Sequence, residues 1–304
     1  MRRLFIAATL ASALAGCAVL QDVVQATKAQ VTLVKGLRHY DAGAYHASTE
    51  QLLGAIELGL GGGDRAVAHK HLAFIHCASS LERQCRDEFR KALAADPTVK
   101  LEQAEAWHPV WGPIFRSMSA SSALEGGLKQ YEQGDYAESA KNLQTAIDVG
   151  LPEKERAGAH KHLAFIHCSA NRERQCRDEF RKGLAADPAL ELTPPEAGHP
   201  VWGPIFLSVS GTAALSAALK QYEQGEYADS AKNLQGALDL GVPEKLRATA
   251  HKHLAFIHCS SSRERQCRDE FRKALAVDPA LNLAPAEAGH PVWGPIFRSL
   301  KAGR

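Results

Sequence analysis

Residues 126–152 read GGLKQYEQGDYAESAKNLQTAIDVGLP, and the fold turns on how this stretch is read. Small residues stand at Gly127, Ser139 and Ala146, and a large apolar one at Leu143. Gly134 interrupts the run in its middle, and Pro152 closes it. Two segments that put small residues on facing sides of a central turn can approach closely as antiparallel helices. Proline then ends the second helix, because it lacks the N–H and clashes with the preceding turn. One such hairpin cannot bury its own apolar face, so its neighbours must stack on it.

The stretch has relatives on both sides. Tyr40, Tyr131 and Tyr222 are spaced by 91 residues, and so are His69, His160 and His251, and Trp111, Trp202 and Trp293. The chain is therefore three tandem copies of a 91-residue module. Each copy adds a second hairpin, which in the middle copy reads AHKHLAFIHCSANRERQCRDEFRKGLAADP. Its small and large positions are Ala164, Cys176, Phe180 and Gly183, with Ala92 and Ala274 standing where Gly183 does. In both hairpins these residues fall in register with the tetratricopeptide (TPR) consensus, which the chain resembles over nearly its whole length. The expected fold class is all-α, a TPR-like helical-hairpin solenoid. The expected divisions are a leader at 1–16 and modules at 17–117, 118–208 and 209–304, the last with a short C-terminal cap.

From Gly127 to Ala164 is 37 residues, but from Ala164 to Ala218 is 54, so extra chain separates the copies. It reads ALELTPPEAGHPVWGPIF, Pro-rich and expected to be extended at its start. A proline in the first turn of a helix costs little. Long helices are expected over 113–133 and 204–224, and from about Leu20 to Tyr40. GLGGGD, from Gly59 to Asp64, lacks the Lys-Ser/Thr ending of a phosphate loop and reads as a longer turn.

The chain begins MRRLFIAATLASALAGC. Two arginines, a short apolar run and small residues before Cys17 make a secretory leader. Leu14-Ala15-Gly16-Cys17 matches the bacterial lipobox. That resemblance implies cleavage before Cys17, its lipidation, and a lipid-anchored protein at the cell envelope. With Ala18 next, the expected site is the outer membrane, facing the periplasm. No second apolar stretch reads as a membrane span. The formal charge of +2 offers no basic face for nucleic acid.

Six cysteines remain, as Cys77 with Cys85, Cys168 with Cys176, and Cys259 with Cys267. Each pair is equidistant from its hairpin turn, so its members should face each other, and an oxidising compartment permits disulfides. The alternative is buried free thiols packing as small hydrophobes. Seven intervening residues do not fit a catalytic CxxC. His69, His71 and His76, repeated in each copy, lack the spacing of three or four of a helical zinc pair, and packing roles are expected. A metal site shared with the thiolates stays as an alternative. No cofactor, metal ligand or catalytic group is assigned. Ion pairs are expected for Glu82 with Arg86 and Asp87 with Lys91. Trp111, Trp202 and Trp293, with Tyr40, Tyr131 and Tyr222, are candidate partner-binding residues; the tryptophans read equally as plugs between copies.

The lipobox, the hairpins and the recurring wording AHKHLAFIHC, RQCRDEF and HPVWGPIF together resemble the TssQ-type TPR lipoproteins associated with type VI secretion. The resemblance spans residues 17–304 and implies a non-catalytic scaffold or adaptor that binds protein partners, among them secretion-system envelope components. A pilotin, an outer-membrane assembly lipoprotein, and a periplasmic metal or redox protein are the other readings.

Overall fold

The computed structural model describes residues 4–303, with side chains described from Val23 onward. The leader's side chains and that of Cys17 lie outside the described residues. Every described element is helical. The chain divides into two compact units, residues 1–151 and 152–304.

The first unit holds α1 (Leu4–Asp41), α2 (Tyr45–Glu57), α3 (Gly62–Ala78), α4 (Glu82–Ala95), the one-turn α5 (Gln103–Ala106), α6 (Trp111–Glu132) and α7 (Tyr136–Val149). They pair as antiparallel hairpins, α1 with α2, α3 with α4, and α6 with α7. The second unit holds α8 (Glu153–Ser169), α9 (Glu173–Ala186), the short α10 (Pro194–Ala197), α11 (Trp202–Glu223), α12 (Tyr227–Asp239), α13 (Glu244–Ser260), α14 (Glu264–Val277), the short α15 (Pro285–Ala288) and α16 (Trp293–Ala302). Here α8 pairs with α9, α11 with α12 and α13 with α14, while α16 lies against α14. Each unit is a stack of TPR-like hairpins.

Small residues explain the tight pairing. A Cβ on Gly127 would sit 2.9 Å from Leu143 Cγ, so the backbones of α6 and α7 approach at that point. Ser139 is fully buried there, and its hydroxyl donates to the Gly127 carbonyl at 2.8 Å. Ser48 to Gly36 (2.9 Å) and Ser230 to Ala218 (2.8 Å) repeat the bond. A buried hydroxyl without such a partner would cost about 1–3 kcal/mol. Between hairpins the core is aliphatic on one side, with Leu33, Leu52 and Leu72. On the other it is aromatic, with Phe74, Phe89 and Phe115.

Three features refine the expectations. The linker carries no helix at its start, over 99–102, 190–193 and 281–284, with Glu102, Thr193 and Ala284 extended; it then folds into one-turn helices, α5, α10 and α15, each held by its own glutamate. Glu105 accepts the Glu102 N–H at 2.8 Å, and Glu196 that of Thr193 at 2.8 Å. The glycine run at 59–63 makes a turn of four residues, 58–61, as long as that at 240–243 and one residue longer than that at 150–152. Gly59 takes the left-handed turn at φ 92°. Finally, α11 is long and apolar enough to cross a bilayer, with mean hydropathy 1.3 over its best window. In its unit it packs on α9, α10, α12 and α13 and buries Phe206, Val209 and Leu215.

Candidate functional site

The module is organised around the tripeptide His-Lys-His at the middle of α3, repeated in α8 and α13. Successive residues on a helix point 100° apart, so three neighbours address three directions. His69 Nδ1 meets Glu88 Oε2 of α4 at 2.6 Å, and both side chains are buried. Lys70 Nζ donates to both carboxylate oxygens of Glu105, at 2.9 and 2.8 Å, and so ties the linker helix α5 to α3. His71 Nδ1 bonds to its own helix at Val67 O, and its ring meets the edge of Tyr40 on α1 at 5.0 Å. The second unit repeats the pattern with His160 on Glu179, Lys161 on Glu196, His251 on Glu270 and Lys252 on Glu287.

The tripeptide is therefore a three-way junction. Burial raises the pKa of Glu88, but hydrogen bonds from His69 and Lys91 outweigh it and hold the carboxyl below its usual value. Glu179 and Glu270 follow. Burial lowers the pKa of His71 and His253, which keeps these imidazoles neutral. Lys91 pairs with Glu88 rather than with Asp87, and Asp87 pairs with Arg90, because Glu88 is already fixed in place by His69. Glu82 pairs with Arg86 as expected from the spacing. Among the described residues no group of three or more His, Cys, Asp or Glu side chains is arranged to hold a metal ion.

The tryptophans stand where the linker meets the hairpin. Trp111 is half-buried, with its ring 4.8 Å from Phe74 and the His108 ring stacked parallel on it. Trp202 on Phe165 and Trp293 on Phe256, both at 4.7 Å, do the same. Trp293 is buried and donates its indole N–H to the Glu287 carbonyl at 2.9 Å. The glycine after each tryptophan is required: a Cβ on Gly203 would come within 2.1 Å of the Ala197 carbonyl oxygen, and one on Gly112 within 2.4 Å of that of Ala106.

The tyrosines lie at the turn of each first hairpin. Tyr40 is half-buried, and burial, with Tyr45 and two carboxylates nearby, pushes its phenol up to about 12. It contacts Tyr45 at 5.7 Å; Tyr131 contacts Tyr136 at 5.5 Å and Tyr222 contacts Tyr227 at 5.4 Å. The second member of each pair is open to solvent: Tyr45 at 46%, Tyr136 and Tyr227 at 47%. The sequence reading missed Tyr45, Tyr136 and Tyr227, although their recurrence at the module period marks them. Trp107, 80% exposed, has no counterpart in the other copies and no signal in the repeat.

The cysteines of each second hairpin face each other across the turn. Cα atoms are 5.1 Å apart in Cys77–Cys85, Cys168–Cys176 and Cys259–Cys267. Cys85, Cys176 and Cys267 are fully buried.

No protein-family model matches the chain. Photosystem I assembly protein Ycf3 of Synechococcus sp. (strain CC9605) is 30% identical over 73 residues, 24% of this chain and 42% of that protein. The chain thus spans under half the length of that relative. Among solved structures, Pseudomonas aeruginosa pilF is similar over 92% of this chain and 99% of its own, at 16% identity and a TM-score of 0.26. YrrB, described as a TPR protein with an unusual peptide-binding site, covers 71% of this chain and 87% of its own, at 10% identity and a TM-score of 0.24.

Proposed function

We propose that the chain is a lipid-anchored, non-catalytic TPR scaffold that binds protein partners at the cell envelope as an accessory lipoprotein of a type VI secretion system. The observation that carries the scaffold reading is the tyrosine pair at each first-hairpin turn. It is presented three times in one register, with one ring packed and one exposed. A half-held aromatic offers a partner apolar area and a hydroxyl at small entropic cost. In this reading Tyr40, Tyr131 and Tyr222 brace the exposed tyrosines, and Trp111, Trp202 and Trp293 hold the linker that shapes the adjoining surface. The envelope reading is supported by the lipobox at Cys17 and by six further cysteines that face each other in pairs, which we take as disulfides.

The test is affinity capture from envelope extracts with the full chain, alongside Y45A/Y136A/Y227A. Secretion-system envelope subunits should be recovered by the parent and lost by the variant. Recovery of secretin or barrel-assembly subunits instead would replace the secretion-system assignment. Labelled fatty acid should be incorporated by the parent and not by C17S; equal labelling would sink the anchor.

A further inference from the structure

At Val24 and Thr27 the helix α1 exposes positions that its counterparts bury or partly bury. Counting by the module period, Val24 corresponds to Phe115 and Phe206, and Thr27 to Met118 and Val209. In α6, Phe115 is buried against Phe89 of α4 at 5.2 Å. In α11, Phe206 is buried against Phe180 of α9 at 5.1 Å. Val24 is 65% exposed, and Val31 and Val34, about two and three turns further along, are 51% and 42% exposed where the other copies carry Ser122 and Ala213, and Glu125 and Ser216. At 100° per residue these valines form one stripe, opposite Ala29 and Leu33, which sit in the hairpin core.

Charge selects what belongs there. Exposed Lys28 and Lys35 flank the stripe on one side and Arg38 closes its end, and α1 carries no acidic residue from Val23 to Tyr40. A second copy of the same helix would set like charges against each other. An anionic bilayer would meet the cations, but the stripe includes positions that a helix covers in the other two copies.

We propose that this stripe docks an amphipathic helix of a partner protein. That helix carries an aromatic and an aliphatic residue four apart, as Phe89 and Leu93 do on α4, and an acidic flank. It lies on α1 as α4 lies on α6 and α9 on α11. The inference rests on the scaffold reading but uses a different surface from the tyrosine pairs. The two therefore fail separately: envelope capture lost in Y45A/Y136A/Y227A tests the scaffold, and the stripe is tested as follows.

The probe is a labelled peptide of residues 81–96 carrying C85A, R86E, R90E and K91E, titrated against the full chain by fluorescence anisotropy. V24D/V31D should weaken binding by about tenfold or more, as loss of central interface contacts does. K28E/K35E should reverse the preference between this peptide and the unsubstituted, more basic one. These residues are exposed, and matching thermal melts verify that the variants fold. Absence of peptide binding, or binding unchanged in V24D/V31D, overturns the proposal. So does a dimer in sedimentation that V24D/V31D dissolves, which makes a second copy the occupant. Binding to phosphatidylglycerol vesicles without binding to the peptide assigns the stripe to a membrane and also overturns it.

Discussion

The two hairpins of a module solve one geometric problem with different chemistry. In the first, a glycine or alanine on one helix faces a buried serine on the other, and the hydroxyl bonds the backbone carbonyl across the gap. In the second, Ala73, Ala164 or Ala255 makes the close approach and a cysteine stands where the serine stood. The turns differ too. Gly43, Gly134 and Gly225 take the left-handed conformation in the first hairpins, at φ 73–80°. Ser80, Asn171 and Ser262 take it in the second, at φ 58–60°. The first hairpin is secured through its backbone and has an easy turn. The second has a strained turn and is secured through side chains: the cysteine pair, the His–Glu bond and the lysine strap.

The sharpest way to break this contrast is to remove the staple. C77S/C85S should destabilise the α3–α4 hairpin by about 2–3 kcal/mol, the value for closing so short a loop. Hydrogen exchange should show protection lost in α3 and α4 while α6 and α7 keep theirs. If six cysteines alkylate in denatured, unreduced protein, the staple does not exist and the contrast collapses to packing alone. Next, Ser139→Ala should cost about 0.5–1.5 kcal/mol, the net worth of one hydrogen bond, since the Gly127 carbonyl lies within α6 and stays in its helical ladder, read as a lower thermal midpoint insensitive to reductant. Ser80→Gly should stabilise by about 0.5–1 kcal/mol, since glycine enters the left-handed region freely. The reverse change, Gly134→Ala, should destabilise by a similar amount.

The smallest effect is on pH. His71 and His253 have folded pKa values below 6.5, because burial disfavours the cation. Below 6.5 the unfolded chain binds protons that the folded chain refuses, so stability falls as the pH drops through that value. Glu88, Glu179 and Glu270 are held below 4.5, and the stability they contribute is present above 4.5 and lost below it. Thermal midpoints should therefore fall in two steps on acidification. H71Q/H253Q should flatten part of the upper one and leave the lower, the rest belonging to His167 and His258, whose pKa values burial also lowers; a slope unchanged between pH 7 and 5 in that variant would assign it elsewhere.

Much of this was legible in the sequence, for a physical reason. Close helix approach demands small residues at fixed spacing, so Gly127, Ser139 and Ala164 marked the hairpins, and mirror symmetry about a turn paired Cys77 with Cys85. The long helices α6 and α11 were readable because proline can open a helix but glycine tends to end one. Contacts spanning the linker were not readable. Lys70 and Glu105 are 35 residues apart, and nothing local says that a Pro-rich segment will fold back. The serine looked only small, although its hydroxyl makes the bond. Lys91 was assigned to Asp87 by spacing, since the sequence could not show that His69 holds Glu88 within reach.

The helices α6 and α11 each begin as the end of one module, with the tryptophan seated on the hairpin before, and finish as the start of the next, with the glycine or alanine that receives the serine. Such a shared helix is a splice joint. A gene duplication or deletion of one whole period, with its crossover anywhere inside that helix, rebuilds an intact joint and leaves every strap, staple and serine bond with its own partner. Module number can then change without a new interface having to be invented. Three tandem copies are what a lineage would accumulate if the fold made lengthening easy.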